Sequence, residues 1–544
     1  MKRLNSSTLL IATLLMLTGC AEEAATQQDN GKSNQQEPGT KGLTAFVVEE
    51  NDTKTRTTAE YFDNGGLNRG LHYYWTAGDR LWVNNGGTLI QDASNNISDI
   101  LTNNTTTPGG VKRASKASFS FEGNFTAPSY PVRYTGTGST AGDKVTIKAQ
   151  QTQTIPNDAS HIGEDGDCGT AVATKPAGGS KYFFTLKHKA AYATFLPYNA
   201  PGAIGKARMT SIVVTADQPL AGTYNFTDNG LDLTSPTTPS NTITLRLDVN
   251  PNGGFSLPQT ATPAINAATM VIAPGTYTNF KVQYCFGSDI IEKTYPSVTF
   301  IAGRNKKISQ DMQIMDYSTK FYMWDAKYHY WYNHLKPDGT PDNISNYPLN
   351  NSDPRWYHEG TAPLAATPSC KDCPNVNELY WYIKKGDPHL GSRQQLVYYD
   401  GRLQPITVGL WLRKKSAIVA YLKANEGYPA SLTWNDMKEA YWDTPTAPHV
   451  DGRTTSVVLH RLNIPSGTPA NPADYFFIPM VTGYIKYGML VRPSMYNLQA
   501  HYWSSTAVPG TAGLAYCFRF DADHTIHVLR FMSCEMGLLA IPFE

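Results

Sequence analysis

A cysteine close to the amino terminus stands in a context that predicts covalent attachment of lipid. Two basic residues precede an apolar run at 9–17, and Leu17-Thr18-Gly19-Cys20 closes that run. The run is too short to remain as a membrane-spanning helix and has the layout of a secretory signal. Several acyl chains on one residue anchor a protein stably to a membrane. We therefore predict that residues 1–20 are a lipoprotein signal peptide and that Cys20 is acylated.

The other six of the seven cysteines lie beyond Cys20, and two of them form a C-x-x-C pair, Cys370 and Cys373. A helix is predicted directly after this pair, and a helix N-terminus can lower the pKa of a thiol. The surrounding sequence lacks the βαβ pattern of a thioredoxin unit, which favours a structural disulfide or plain packing. A zinc site would need a second ligand pair, and the spacing of Cys517 and Cys534 does not supply one. We predict no metal and no cofactor.

Composition and charge narrow the classes of partner. Lysine plus arginine (46) nearly balances aspartate plus glutamate (45), so we expect neither nucleic acid nor an electrostatic membrane surface as a partner. Glycine, proline, threonine and asparagine are plentiful and long amphipathic patterns are scarce, which favours a mainly β chain. Residues 21–41 contain no large apolar side chain and predict a flexible tether.

Short alternating runs between turn residues predict β-strands from residue 42 to about residue 317. The strands predicted most clearly are 43–48, 79–84, 118–123, 145–147, 182–188, 191–195, 212–214, 220–226, 270–277, 280–284 and 298–303. A Gly178-Gly179-Ser180 break separates two sets of strands. We therefore predict one β-sandwich at 57–179 and a second at 180–317.

The composition changes after Tyr317, beyond which eight of the ten tryptophans lie. Apolar residues recur at helical spacing over 376–383, and Thr433 with Asp436 three residues later predicts the start of a second helix. The remaining sequence reads as strands. Helices followed by a β-rich end predict an α+β module at 318–544.

Short motifs in the two predicted sandwiches carry a family resemblance. These motifs are Phe184-Thr185-Leu186-Lys187-His188-Lys189-Ala190-Ala191, Leu220-Ala221-Gly222-Thr223-Tyr224, Ala273-Pro274-Gly275-Thr276-Tyr277 and Ile301-Ala302-Gly303. In this order behind a lipoprotein signal, they make residues 20–317 resemble the paired transthyretin-like domains of Bacteroidetes fimbrillins. Fimbrillins are the subunits of chaperone-independent type V fimbriae.

The last module carries a second resemblance. Its motifs are Cys370-Lys371-Asp372-Cys373-Pro374, Tyr475-Phe476-Phe477-Ile478-Pro479, Tyr502-Trp503-Ser504-Ser505-Thr506 and Ala515-Tyr516. They resemble the C-type-lectin-like modules found in surface proteins of the same bacteria and in tip subunits of such fimbriae. Formylglycine-generating enzymes share this fold, but their reactive cysteine pair has no convincing counterpart here.

The fimbrillin resemblance implies proteolytic processing. In that family an arginine-specific protease cuts the acylated precursor in the loop after the first strand. Here 43–48 matches that strand and Lys54-Thr55-Arg56-Thr57 matches the loop, so the resemblance implies cleavage between Arg56 and Thr57. Residues 21–56 would then be the tether and first strand of a propeptide. Loss of the strand would open an apolar groove that a strand from another subunit could fill.

Residues that could contact a ligand are less clearly marked. Trp434-Asn435-Asp436 matches a motif of calcium-dependent lectins but opens a predicted helix, so we expect no calcium-dependent sugar binding. Aromatic runs at 328–332 and 380–382 could stack on sugars or peptides, although we expect most of them, and Trp503, to pack in the core. The sequence between residues 387 and 404 and that between 445 and 473 are polar and rich in turn residues. We expect loops there that could contact a ligand.

Residues and resemblance together predict two transthyretin-like β-sandwich domains followed by an α+β C-type-lectin-like domain. We expect a non-enzymatic fimbrial tip subunit at the outer membrane that mediates cell adhesion and biofilm formation through a host, bacterial, matrix or glycan ligand. We predict that residues 538–543 form a core strand of this module. The chain would therefore accept a strand from a stalk or adaptor subunit and donate none. The alternative is a stand-alone outer-membrane glycan-binding lipoprotein that keeps its lipid.

Overall fold

The computed structural model describes residues 42–48, 58–62, 70–101, 109–360, 365–491 and 498–544. The predicted signal peptide with Cys20, the tether, and the predicted cleavage site at Arg56 and Thr57 lie outside these residues. Within the described residues the chain is mainly β, as its composition predicted.

The first part of the chain builds one large sheet. The sheet contains β1 (Leu43–Val48), β4 (Trp82–Asn85), β5 (Thr88–Gln91), β6 (Ser94–Asn95), β7 (Ser118–Glu122), β8 (Ser129–Tyr134), β11 (Gly169–Thr174), β12 (Tyr182–Phe184) and β13 (Lys187–His188). The same part of the chain also contains β2 (Thr58–Phe62), β3 (Gly70–Tyr74), β9 (Lys144–Ile147) and β10 (Gln150–Thr152), which lie outside this sheet, and the short helices α1 (Ile97–Ile100) and α2 (Ile162–Asp165). The sheet has the order β5-β4-β8-β11-β12-β1-β7-β6, and β13 pairs with β11. Its inward side chains form one apolar core, because side chains of a strand alternate between two faces.

The strand predicted at 79–84 begins later, at Trp82. Asp79 is fully buried, and its carboxylate accepts hydrogen bonds from the Thr76 backbone N–H at 2.8 Å and the Tyr134 hydroxyl at 2.9 Å. A side chain that satisfies a turn in this way competes with strand pairing. The chain therefore enters the sheet only after this turn.

The second set of strands forms several smaller sheets around another core. Its elements are β14 (Ala191–Tyr198), β15 (Ile204–Met209), β16 (Ser211–Thr215), β17 (Ala221–Thr227), β18 (Gly230–Leu231), β19 (Thr237–Ser240), β20 (Thr242–Arg246), β21 (Phe255–Leu257), α3 (Pro263–Asn266), β22 (Ala268–Ile272), β23 (Gly275–Phe286), β24 (Asp289–Phe300) and β25 (Asn305–Asp311). The principal sheets have the orders β10-β20-β16-β23-β24 and β22-β14-β25.

The two sets of strands interleave across residue 179. From the first set, β9 pairs with β17, and β10 pairs in parallel with β20. The β2–β3 hairpin places its buried side chains in the second core. In the opposite direction, β12 and β13 follow residue 179 and join the first sheet. Each core therefore contains side chains from both halves of this region.

The last module contains two sheets and three helices. Its elements are β26 (Ile314–Asp316), β27 (Phe321–Tyr322), α4 (Val376–Lys385), β28 (His389–Tyr399), β29 (Arg402–Arg413), α5 (Lys415–Asn425), α6 (Trp434–Glu439), β30 (Leu459–Arg461), β31 (Tyr475–Pro479), β32 (Gln499–Ala507), β33 (Leu514–Asp521), β34 (Thr525–Ser533) and β35 (Leu538–Leu539), with 3-10 turns at Ile344–Asn346, Pro472–Asp474 and Lys486–Gly488. The sheets have the orders β26-β28-β29-β31 and β27-β35-β32-β33-β34-β30, and they share an aromatic-rich core with the helices.

Both predicted helices of this module are present, and local capping explains where they begin. Asn375 caps α4 in a capping box with Glu378. Thr433 caps α6 in a capping box with Asp436, as the sequence predicted. The helix α6 is short and ends at Glu439.

Two features of the module differ from the prediction. The sequence did not reveal α5, which has no side-chain cap and buries only Ile418 and Leu422. The loop predicted between residues 387 and 404 is instead the hairpin of β28 and β29. The polar run at 392–395 coincides with a register shift in this hairpin, which hides the alternation expected of a strand.

Candidate functional site

The first strand, β1, lies inside its sheet rather than at an edge. It pairs in parallel with β12, with Phe46 opposite Tyr182. Its other neighbour is β7, and beside that strand the Val48 backbone N–H donates to the Ala117 carbonyl at 3.1 Å. A strand from the start of the chain therefore closes a gap between β12 and β7, which we call the β1 slot.

Phe46 fills the centre of the β1 slot. It is fully buried, and its ring centroid lies 4.7 Å from that of Tyr182, 4.9 Å from Phe121 and 5.4 Å from Phe125. Burial of such a side chain contributes roughly 2–3 kcal/mol, and each well-oriented aromatic pair adds about 0.5–1.5 kcal/mol. Val48 is the second buried side chain of the strand, whereas Val47 between them is only half-buried. The slot therefore requires apolar side chains at alternate positions.

The wall of the β1 slot is held by bonds that do not involve β1. The Tyr182 hydroxyl donates to the backbone carbonyls of Phe125 at 3.0 Å and Ala127 at 2.6 Å. The ring of Tyr182 also lies under the Lys175 ammonium at 5.1 Å. These contacts fix the ring on which Phe46 stacks.

The next strand, β2, is anchored to a different core. Ala59 and Tyr61 are buried in the second core, whereas β1 is buried in the first. Between them, Glu60 pairs with the fully buried Arg113 at 3.1 Å, and Arg113 also pairs with Asp158 at 2.6 Å. Consecutive strands are thus held by separate sets of contacts.

The core strand predicted at 538–543 is present over its first two residues only, as β35 (Leu538–Leu539). In β35, Leu539 pairs antiparallel with Phe321 and parallel with Tyr502 of β32. Phe543 is buried, and the Tyr382 hydroxyl donates to the carbonyl of Glu544 at 2.9 Å. Withdrawal of this segment would break both a sheet and the aromatic core.

The Tyr-Trp-Ser-Ser-Thr motif at 502–506 is structural. Trp503 is fully buried, as predicted, and its indole N–H donates to the Tyr322 carbonyl at 2.7 Å. The Ser504 hydroxyl donates to the Pro374 carbonyl at 2.9 Å. The motif therefore joins β32 to the segments around it and is not available to a ligand.

Most of the aromatic residues singled out in the sequence also pack in the core. The buried members of these runs are Tyr330, Trp331, Tyr380, Trp381 and Tyr382. The rings of Tyr328 and Tyr332 are half-buried and stack at 4.1 Å. Core packing is thus confirmed for most of the two runs.

An exposed apolar patch lies where the sequence predicted no site. Ile344, Leu349, Tyr487 and Met489 are each more than half exposed. Ile344 and Tyr487 lie in two 3-10 turns that contact one another, and Leu349 and Met489 follow these turns in the chain. The rings of Tyr347 and Tyr487 lie 5.9 Å apart. Tyr487 has a φ of 73°, a strained conformation for a residue other than glycine. Isolated turn residues of this kind produce no periodic pattern, so only their proximity in the fold reveals the patch.

Trp434-Asn435-Asp436 opens α6, as predicted. The Asp436 Oδ2 atom accepts hydrogen bonds from the Thr433 backbone N–H and hydroxyl, each at 2.7 Å, so capping already uses this oxygen. Among the described residues, no group of three or more His, Cys, Asp or Glu side chains could hold a metal ion. Across the same residues, no helix has the length and apolar character needed to cross a membrane.

Comparison with known proteins gives remote similarities only. No protein-family model and no curated protein matches the chain. One similar structure is that of a protein from Bacteroides ovatus ATCC 8483 that is provisionally named a cell adhesion protein. It is 12% identical to this chain, with a TM-score of 0.28, and the match covers 49% of this chain and 93% of the other. A fimbrial assembly protein of Parabacteroides distasonis ATCC 8503 is 11% identical, with a TM-score of 0.23 over 49% and 90%. A fimbrial protein of Bacteroides ovatus ATCC 8483 is 10% identical, with a TM-score of 0.23 over 92% and 99%.

Proposed function

We propose that this chain is a surface-exposed, non-enzymatic subunit at the distal end of a fimbrium, where it mediates cell adhesion and contributes to biofilm formation. It joins the fibre by accepting a β-strand from a stalk or adaptor subunit in the β1 slot. The observation that carries this proposal is the interior position of β1, between β12 and β7, with Phe46 buried among three aromatic rings.

Removal of β1 would create a strong binding site for another strand. The slot would expose apolar rings on its floor and unpaired backbone groups on both flanking strands. In β-augmentation, an added strand covers such rings and pairs with such backbone groups. An incoming strand with apolar side chains at alternate positions would restore the hydrogen bonds and the core together.

The contacts of β2 support release of β1 by a cut at Arg56. A new amino terminus at Thr57 would leave β2 in place, because Glu60 and its neighbours are anchored in the second core. A cut after Arg69 would instead remove β2 and leave Arg113 without its Glu60 partner. Loss of β2 after such a cut would be costly, because it would break a buried ion pair and leave Arg113 with Asp158 as its remaining ion-pair partner.

The pairing of β35 supports a distal position. A subunit that passes its final strand to a neighbour needs a strand that its own fold does not require. Here β35 is paired on both sides within the module, so its donation would unfold the domain. This segment is therefore unsuited to strand donation.

The apolar patch is the surface best suited to adhesion. Four exposed apolar side chains lie in or shortly after two turns that contact one another, and exposed apolar patches mark interaction sites. Tyr487 offers a flat ring, and the backbone of this residue is already restricted. This restriction lowers the conformational entropy lost on binding. A host, bacterial, matrix or glycan ligand would dock here.

Processing and strand acceptance can be tested together. The full chain would be digested with an arginine-specific protease, its new terminus identified by mass, and the released segment removed in sub-denaturing urea. Binding of two fluorescent peptides, residues 42–50 and a stalk subunit's carboxyl-terminal strand, would then be measured by anisotropy. We expect a terminus at Thr57 and binding only after the cut.

Two matched variants control this experiment. Arg56→Ala should remain uncut at this site and bind neither peptide, whereas Arg69→Ala should be cut and bind like the unsubstituted chain. Failure of the cut chain to bind either peptide would contradict strand acceptance. If cells also display an intact acylated amino terminus, the alternative of a stand-alone glycan-binding lipoprotein would be favoured.

A further inference from the structure

Two cysteines of one turn and two that are distant in sequence share one buried cluster in the last module. Cys370, Cys373, Cys517 and Cys534 pack together with apolar side chains that include Trp324 and Trp503. All four are buried and carry free thiols in the structure. The cluster therefore brings several oxidisable sulfurs into one region.

The backbone places Cys370 and Cys373 at a spacing that a disulfide can span. The Cys373 backbone N–H donates to the Cys370 carbonyl at 3.0 Å, which closes a four-residue turn. The Cα atoms at the ends of such a turn lie less than about 7 Å apart, and disulfides join Cα atoms about 4.4–6.8 Å apart. The Cα spacing therefore permits a disulfide between these two residues.

The turn is held from both sides. The Asp325 carboxylate accepts the Cys370 backbone N–H at 3.0 Å, and the Asp325 backbone N–H donates to the Cys370 sulfur at 3.3 Å. Directly after the turn, the Pro374 carbonyl accepts hydrogen bonds from Ser504 and Ser505 of β32. The two cysteines are therefore fixed relative to each other and to the sheet.

We propose that Cys370 and Cys373 form a disulfide in the mature protein, which fastens the turn that leads into α4. The oxidant is a small-molecule or protein disulfide. One cysteine thiolate attacks a sulfur of that disulfide and releases one thiol, and the other cysteine then displaces the second. The protein loses two S–H bonds and gains one S–S bond, while two electrons and two protons pass to the oxidant.

The environment favours a structural bond over a redox-active one. A hydrogen bond to the Cys370 thiol, together with burial, raises the pKa of Cys373 well above its usual value. A redox-active pair needs an accessible thiolate of low pKa, which this site does not provide. Because both thiols are buried, the bond forms before or during folding, or when the cluster opens transiently.

A peptide map tests the proposal without reliance on export or on fimbrial assembly. The full chain would be incubated with oxidised glutathione in sub-denaturing urea, alkylated, and digested with trypsin under non-reducing conditions. Trypsin cuts after Lys371, between the two cysteines, so the proposed bond joins peptides 356–371 and 372–384 until reductant is added. We expect this linked pair as the dominant product and two fewer titratable thiols per chain.

Two variants make the outcome decisive. Cys534→Ser should still yield the linked pair, whereas Cys373→Ser should not. The proposal would be overturned if 356–371 were linked instead to 531–544, which contains Cys534. It would equally be overturned if the number of titratable thiols did not change. Circular dichroism of each variant would show that the fold is retained.

Discussion

The ring of Phe46 stacks on that of Tyr182 with centroids 4.7 Å apart and planes inclined by 11°. The two residues lie in neighbouring strands of one sheet, although one belongs to the first strand and the other follows the predicted boundary at residue 179. The stack therefore connects β1, which the proposed processing removes, with β12, which remains in the protein.

Phe46→Ala should lower the free energy of unfolding of the uncut chain by about 3–5 kcal/mol, because it leaves a cavity among three rings. Urea denaturation measures this change. Val47→Ala on the same strand should cost much less, since Val47 is only half-buried. In the cut chain freed of β1, peptide binding should be the same for Phe46→Ala as without the substitution. Stronger binding by Phe46→Ala would show that β1 still occupies the slot in the cut chain.

Phe121→Ala should weaken binding of peptide 42–50 to the cut chain by at least tenfold, because Phe121 is part of the floor of the β1 slot. Fluorescence anisotropy measures the affinity. Val172→Ala, on the exposed face of the same sheet, is the matched control and should leave binding unchanged. Equal affinities for both variants would place the peptide elsewhere.

Arg113→Ala should destabilise the chain by about 3–5 kcal/mol, because it leaves the buried Glu60 and Asp158 carboxylates without their shared partner. The exposed pair of Arg246 and Asp248 provides the comparison, and Arg246→Ala should cost less than about 1 kcal/mol. Denaturation in urea gives both values. Similar values for the two variants would contradict the anchoring of β2 by this cluster.

His501 should make the chain less stable in mild acid. Burial, reinforced by the facing Arg519, lowers the pKa of His501 to about 4, while Asp521 opposes the shift. The unfolded chain therefore binds the proton more readily between pH 6.5 and pH 4, so the stabilising contribution is complete above pH 6.5 and is lost as pH falls. A loss on the order of 1–3 kcal/mol follows from this shift.

The dependence on His501 can be isolated by substitution. His501→Gln should flatten the fall in unfolding free energy between pH 7 and pH 4.5, as measured by urea denaturation at each pH. His460→Gln, at an exposed position on β30 of the same sheet, should keep the slope of the unsubstituted chain. An unchanged slope in His501→Gln would assign the acid sensitivity to other groups.

Tyr487→Ala should abolish most adhesion without loss of stability, because the ring is exposed and contributes contact area rather than core packing. The measurement is binding of the full chain to a host-glycan and matrix-protein array. Phe531→Ala, which also removes an exposed aromatic side chain, is the control and should retain binding. Retention of binding by Tyr487→Ala would exclude the apolar patch as the adhesive surface.

Several elements follow from local sequence alone. The alternation of LTAFVV predicted the strand that the structure shows as β1, with the same bounds. Thr433 and Asp436 predicted the start of α6, because a capping box is completed within four residues. By contrast, α5 has neither a capping side chain nor a broad apolar stripe, so its sequence gave no such signal.

What the sequence determined by itself was the mainly β class, the position of the first strand and the capped helix starts, since periodicity and capping act over a few residues. Only the tertiary structure decided that β1 lies between β12 and β7 and that β2 belongs to another core. It also decided that Cys517 and Cys534 lie in the same buried cluster as Cys370 and Cys373. The physical reason is that alternation specifies which face of a strand is buried but not which strand lies beside it. Neighbours are selected by burial and backbone pairing across the whole chain.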